Sequence, residues 1–195
     1  MGLLHAIGES NHPARVFFLS HVVESSYTSR AVRLSALSAL AKTGEPGALR
    51  LLDDMLDDAQ HDDELRAWLA GSLGHIRSAD TWPMIESLLA DPSGLVRQAA
   101  LASVRLLMSR WHWDGRGQEL ANLRVRVTPT LVGLLEKPES LPASNLGETL
   151  SLVGGEAVLA SLKERLVDPS LQSDVRSRMQ SVLSLVERAE RRRRN

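Results

Sequence analysis

An acidic run around a histidine is the stretch of this sequence whose side chains could most readily hold a divalent cation. Its members are Asp53, Asp54, Asp57, Asp58, Asp62, Asp63 and Glu64, with His61 among them. The run lacks the spacing and the central glycine of an EF-hand, so its last members are better explained as the start of a helix, where the dipole favours negative charge. The remaining prediction is an acidic patch for a basic partner, formed by Asp53, Asp54, Asp57, Asp62 and Asp63.

A second set of charged side chains comes from an arginine that follows an apolar residue at four places. We call Arg33, Arg66, Arg97 and Arg176 the arginine column. Guanidinium groups bind carboxylate and phosphate oxygens in pairs, so this column could line a groove for phosphates or an acidic peptide. Arg66 and Arg97 are the candidate groove residues.

The aromatic segment, residues 110–117, concentrates large rings in a chain that is only 4% aromatic. Trp111 and Trp113 flank His112, and Arg110 and Arg116 frame them. Tryptophan and arginine dominate the binding energy of many protein interfaces, so the segment is a candidate partner-binding site. The alternative is that both rings fold back and cover a seam between helices.

Common catalytic signatures are missing from the sequence. It has no Gly-x-Ser-x-Gly, no His-Glu-x-x-His, no phosphate-binding loop ending in Gly-Lys-Ser or Gly-Lys-Thr, and no cysteine. We therefore expect no catalytic residues, no cofactor, no bound metal and no enzymatic activity.

Composition narrows the class of protein further. The 195 residues are 43% hydrophobic with a formal net charge of −1, which predicts a folded protein without a general attraction to nucleic acid or anionic membranes. No apolar stretch approaches the roughly 18 residues of a membrane span, and no targeting signal is recognisable. We expect a cytoplasmic protein with no membrane partner.

The elements that must position these residues follow an internal repeat. Four residues after the apolar neighbour of each column arginine stand Ala36, Leu69, Ala100 and Met179, and eight residues after it stand Leu40, Leu73, Val104 and Leu183. A second register places an apolar residue six positions before a recurring marker residue. The markers are Asp58, Asp91, Lys137 and Asp168, and the apolar residues are Leu52, Ile85, Leu131 and Leu162. This spacing keeps one face of a helix apolar, so each repeat predicts two amphipathic helices, with Gly44, Gly74 and Gly154 at helix ends.

Two positions depart from the repeat. Trp68 stands where other repeats have Ser35, Ala99 and Arg178, so it either fills a gap in the core or lies on the binding surface. The interval from Asp91 to Lys137 is 46 residues, against 33 for the preceding interval, which places an insertion near 109–126. Within it, the alternating residues 123–127 could also form a short strand.

The run Leu73-Gly74-His75-Ile76, followed by Ile85, Asp91-Pro92 and Val96-Arg97, resembles a short HEAT repeat of the phycobilisome-lyase-like type. A similar run leads from Gly154-Gly155 to Asp168-Pro169 and Val175-Arg176. The resemblance covers roughly residues 28–190 and implies an all-α, right-handed α-solenoid of about five helix pairs. It also implies that partners bind along the concave side, lined by the second helices, or along an edge. In that family the column arginine usually pairs with loop aspartates, here Asp91 and Asp168.

These observations predict an N-terminal helical cap over 1–27, a repeat array over 28–190 with the insertion near 109–126, and a basic tail over 191–195. The predicted function is a non-catalytic module or adaptor that binds another protein. The first alternative is a helical-repeat protein that binds nucleic acid through its repeated arginines and basic C-terminal end. The second, an enzyme or chromophore-handling lyase subunit, is implied by the family resemblance alone. Candidate partner-binding residues are Arg110, Trp111, His112, Trp113, Arg116 and Trp68.

Overall fold

The fold was analysed in a computed structural model, which describes residues 2–10, 12–25, 27–59, 62–76, 78–113, 117–137 and 139–194, without the side chains of 46, 79 and 111–113. The described residues form eleven α-helices, one short 3-10 helix and no strand, which confirms the all-α prediction. The helices are α1 (Gly2–Glu9), α2 (Arg15–Glu24), α3 (Arg30–Thr43), α4 (Pro46–Asp58), α5 (Asp63–Leu73), α6 (Trp82–Leu89), α7 (Gly94–Trp113), α8 (Gly117–Leu134), α9 (Ala143–Val153), α10 (Glu156–Val167) and α11 (Ser173–Arg194), with the 3-10 helix at Ala79–Thr81. None of them combines the length and the apolar character that crossing a bilayer requires.

Successive helices alternate between two layers. In one layer each odd-numbered helix contacts the next, from α1 to α11, while even-numbered helices such as α4, α6 and α10 pack against the odd-numbered helix that follows. The buried apolar residues form one continuous cluster between the layers. Both predicted registers are buried there, through Ala36, Leu69, Ala100 and Met179 in the first and Leu52, Ile85, Leu131 and Leu162 in the second.

The helix boundaries follow the predicted capping residues. Gly44 ends α3 in the left-handed conformation, with φ of 73°, and Gly154 follows α9 with φ of 63°. The Oδ1 atom of Asp62 accepts a 2.9 Å hydrogen bond from the Leu65 backbone N–H and so caps α5. The end of the acidic run is therefore a helix start, as predicted.

The insertion lengthens two helices instead of forming a strand. The alternating residues lie inside α8, so the strand alternative is wrong. Leu123 and Val127 are buried four residues apart, whereas Val125 between them is 68% exposed. This burial pattern is that of a helix, in which residues four apart share one face, since only the first and last apolar residues of the run face the core.

Both ends of the chain are helical where the structure describes them. The N-terminal residues form α1 and α2, which pack against α3. At the other end α11 continues through Arg194 into the region predicted as a basic tail. The Arg193 Nη2 atom donates to the Ser151 carbonyl at the end of α9, and Arg194 forms an ion pair with Glu156. These contacts hold the basic end of α11 against the α9–α10 turn.

Candidate functional site

Arg66 of the arginine column is buried and pairs with carboxylates of the same chain. Only 8% exposed, it donates from Nε to Asp91 Oδ2 and from Nη2 to Asp91 Oδ1, both at 3.1 Å, and it also reaches Asp63 at 2.8 Å. The hydrogen bonds to Asp91 raise the pKa of the Arg66 guanidinium above its ordinary value. The predicted pairing with Asp91 is confirmed, and it joins α5 to the loop after α6.

Arg97 and Arg176 bind loop carbonyls. Arg97 donates to the Ser140 carbonyl at 2.6 Å and to the Asp91 carbonyl at 2.7 Å, so it joins the loops that follow α6 and α8. Arg176 donates to the Asp168 carbonyl at 2.6 Å, whereas the prediction pointed to the carboxylate of that residue. Carbonyls at helix ends lack intrahelical partners, which makes them good acceptors for a guanidinium. Both side chains thus act as ties between helix ends.

Arg33 is the exception in the column. Its Nε atom is buried, and among the described residues the side chain has no hydrogen bond or ion pair. It lines a groove of about 530 Å³ together with Asp58, which is the register counterpart of Asp91. The equivalent of the Arg66–Asp91 ion pair is therefore not formed between Arg33 and Asp58.

Trp68 belongs in part to each of its two predicted locations, the core and a surface groove. It is half-buried and packs against the core, and it also lines a groove of about 540 Å³ with Ser35 and Leu34 of α3. Leu34 lines the Arg33 groove as well. We call this stretch, with Arg33, Leu34, Ser35 and Trp68, the α3–α5 seam.

The seam is open because α3 and α5 contact each other less than α5 and α7 do. At the α5–α7 contact, Ser103 Oγ donates to the Ala70 carbonyl at 2.5 Å and accepts from the Gly74 N–H at 3.0 Å. Ser72 is the equivalent residue one repeat earlier, and its hydroxyl donates to the Trp68 carbonyl of its own helix. No hydroxyl therefore ties α5 to α3 at this position.

Sequence comparison adds no relative. No family model matches the chain, and no curated protein matches it significantly.

The acidic patch divides into two parts. Asp53, Asp54 and Asp57 are exposed on α4, whereas Asp62 forms an ion pair with Arg30 and Asp63 one with Arg66. Within the described residues no three histidine or carboxylate side chains come together as metal ligands, and His61 lies outside the described residues. Only the α4 aspartates remain available to a basic partner.

The aromatic segment is described in part. Arg110 is half-buried and donates to the His75 carbonyl at 3.2 Å. The side chains of Trp111, His112 and Trp113, and the whole of Arg116, lie outside the described residues. Both interpretations of the segment stay predictions.

His75 makes stability depend on pH. Burial lowers the pKa of His75, and the nearby Arg110 and Lys42 charges lower it further. Its Nδ1 is buried, and no described residue forms a hydrogen bond with it. The unfolded chain therefore takes up the His75 proton at a higher pH than the folded chain does. The contribution of this residue to the free energy of unfolding is fully present above about pH 6.5 and falls below that pH by at most about 1.4 kcal/mol per pH unit. His75→Gln should flatten this decline in urea unfolding measured from pH 7.5 to 5.0. Equal slopes for wild type and His75→Gln would refute the assignment.

A basic surface was missed by the sequence interpretation. We call it the C-terminal groove: a hollow of about 570 Å³ whose lining includes Arg105, Leu152, Leu185, Arg188 and Arg192. An adjoining hollow of about 340 Å³ adds Arg124 and Glu190. These residues come from α7, α8, α9 and α11 and share no motif. Only the charge of the last turn of α11 was a signal for this surface.

Proposed function

We propose that the chain is a right-handed α-solenoid of about five HEAT-like helix pairs, which acts as a non-catalytic binding module or adaptor for another protein in the cytoplasm. Three observations support the repeat: the two layers of helices, the buried registers and the recurring arginine ties. Stacked helix pairs bury one continuous core and leave long surfaces for partners.

The α3–α5 seam is the observation that carries the proposal. It offers a half-buried indole, an apolar leucine and an arginine whose buried Nε has no acceptor among the described residues. A partner segment with an apolar side chain for Leu34 and Trp68 and a neutral oxygen acceptor for Arg33 would complete these contacts. The acceptor should be neutral because Asp54 and Asp58 line the same groove. Tryptophan and arginine in such pockets are typical hot spots of protein interfaces.

The arginine column supports protein binding over nucleic-acid binding. Three of its four guanidinium groups already hold acceptors within the chain, so the column is not a free ladder for phosphates. Phosphate binding needs cations that can replace counterions along the backbone.

The test is affinity purification from the native host with Ser35→Arg, which fills the seam with a bulky cation on a half-buried site. We expect wild type to retain a protein partner and Ser35→Arg to weaken its binding at least tenfold, by about 1.4 kcal/mol. Val167→Arg makes the same kind of change at an exposed position of α10 and should bind normally.

A titration with generic oligonucleotides at about 0.15 M salt separates the alternative function. We expect no binding in the micromolar range. Tight oligonucleotide binding with no retained protein would replace this proposal by the nucleic-acid alternative, and a partner that binds Ser35→Arg normally would move the site away from the seam.

A further inference from the structure

We propose that the C-terminal groove is a second binding surface, which takes a short acidic segment of a partner protein with an apolar side chain between its carboxylates. The groove lies on α7, α9 and α11, so it shares no residue with the α3–α5 seam. This inference therefore goes beyond the proposed function and does not depend on it.

The C-terminal groove and the hollow beside it are basic. The two adjoining hollows are lined by five arginines and two glutamates, in a chain whose formal net charge is −1. The arginines are Arg105, Arg124, Arg188, Arg192 and Arg193. One of the glutamates, Glu190, is occupied, since its Oε1 accepts from the Gly155 N–H at 3.0 Å and from Arg193. The local excess of positive charge therefore favours an anionic occupant.

Some of these arginines are available to bind a ligand. Arg105 and Arg193 are held by hydrogen bonds to α9, from Arg105 to Thr149 Oγ1 at 2.8 Å and from Arg193 to the Ser151 carbonyl. In contrast, Arg192 has no hydrogen bond or ion pair to any described residue. The hydrogen bond of Arg188 is made by its Nε, which donates to the Ser184 carbonyl of its own helix at 3.1 Å.

Arg124 gives the adjoining hollow an unsatisfied donor. Its Nε is buried, and no described residue accepts a hydrogen bond from it. A buried donor without an acceptor is costly, so an occupant that supplies an oxygen gains from this position. Arg188 and Arg192 lie one helical turn apart on the same face of α11, where each can hold a carboxylate through two N–H groups.

The floor of the groove identifies a peptide as the occupant. Leu152 is 42% exposed between the arginines, and the half-buried Leu185 lies beside it. A phosphate backbone gains nothing from an apolar floor, and the Glu148 carboxylate in the lining is already paired with Arg105 at 3.2 Å. A segment that alternates carboxylates with leucine satisfies both the floor and the guanidinium groups.

The experiment is a fluorescence-anisotropy titration of the full chain at about 0.15 M salt. The probe is a labelled eight-residue peptide of alternating glutamate and leucine, compared with an all-glutamate peptide, a glutamine–leucine peptide and single-stranded DNA of eight nucleotides. We expect the glutamate–leucine peptide to bind at least tenfold more tightly than each of the others. Equal or tighter binding of the DNA or of the all-glutamate peptide would overturn the assignment, as would no binding of the glutamate–leucine peptide.

Variants locate the peptide on the groove. The Arg188→Ala/Arg192→Ala double variant changes only exposed side chains, so it should fold normally and bind the peptide at least tenfold more weakly. Leu152→Ser should also weaken binding, whereas Arg50→Ala, at an exposed arginine of α4, should not. Unchanged binding by the double variant would overturn the proposal.

The seam variant separates this proposal from the proposed function. Ser35→Arg should bind the glutamate–leucine peptide as wild type does, because residue 35 lies on α3. If the peptide binds and the seam partner is absent, only the proposed function fails. If the partner binds the seam and the peptide does not bind, only this inference fails.

Discussion

Replacing Arg66 by alanine should lower the free energy of unfolding by about 3 to 5 kcal/mol. The substitution leaves the Asp91 carboxylate, whose side chain is only 10% exposed, without its bidentate partner. A buried carboxylate without a cation is unfavourable because the protein interior solvates the charge poorly. Urea unfolding followed by circular dichroism at pH 7 measures the loss.

Arg30→Ala is the matched control for this prediction. Its ion pair with Asp62 joins side chains that are 52% and 38% exposed, so its loss should cost less than about 1 kcal/mol. A double-mutant cycle with Asp91→Ala should give a coupling energy of about 1 to 3 kcal/mol, because the two groups stabilise each other. An Arg66→Ala variant as stable as Arg30→Ala would show that the tie is a surface contact.

The helices could be predicted because each depends on a short pattern of apolar residues. Leu69 and Leu73 lie four residues apart on one face of α5, and both are fully buried. The alternation of apolar residues and arginine at 123–127 favoured the strand alternative. It fails because α8 buries one helical face, which includes Leu123 and Val127 and leaves Val125 exposed. The helices that cover this face lie elsewhere in the chain, so the segment alone does not reveal it.

The candidate site was less predictable because its contacts join distant parts of the chain. The Arg66–Asp91 pair was predicted from the resemblance to HEAT repeats, in which the column arginine usually pairs with a loop aspartate. The acceptors of Arg97 are backbone carbonyls, and any residue type supplies a carbonyl, so no side chain marks them. Arg33 carries the same sequence signal as Arg66, yet no described residue accepts a hydrogen bond from its Nε.

The C-terminal groove shows the same limit. Arg105 and Arg188 are 83 residues apart in sequence and line one hollow. Each is an ordinary charged residue on the polar face of its own helix. Their common environment arises only when α7, α9 and α11 pack side by side, so a charge count along the sequence does not find it.

Two glycines near the end of α5 should respond to alanine in opposite directions. At Gly74 an added Cβ atom would lie 2.8 Å from Ser103 Cα and 3.0 Å from the Ser103 carbonyl oxygen, both backbone atoms of α7 that cannot turn aside. Its φ of −63° suits any residue, so the cost is steric. We expect Gly74→Ala to lose about 1 to 3 kcal/mol as α5 and α7 are forced apart.

Gly71 lies three residues earlier, inside α5, and a Cβ atom there would meet nothing within 4 Å. Gly71→Ala should therefore gain about 0.5 to 1 kcal/mol, because alanine restricts the unfolded chain and favours the helix. The two variants make the same chemical change, so unfolding by urea at one pH compares them directly. A loss at Gly74 with a gain at Gly71 fits the close α5–α7 contact and the Ser103 hydrogen bonds across it. Similar stability for both variants would mean that α5 and α7 are no closer than α3 and α5. The α3–α5 seam would then not be unusually open.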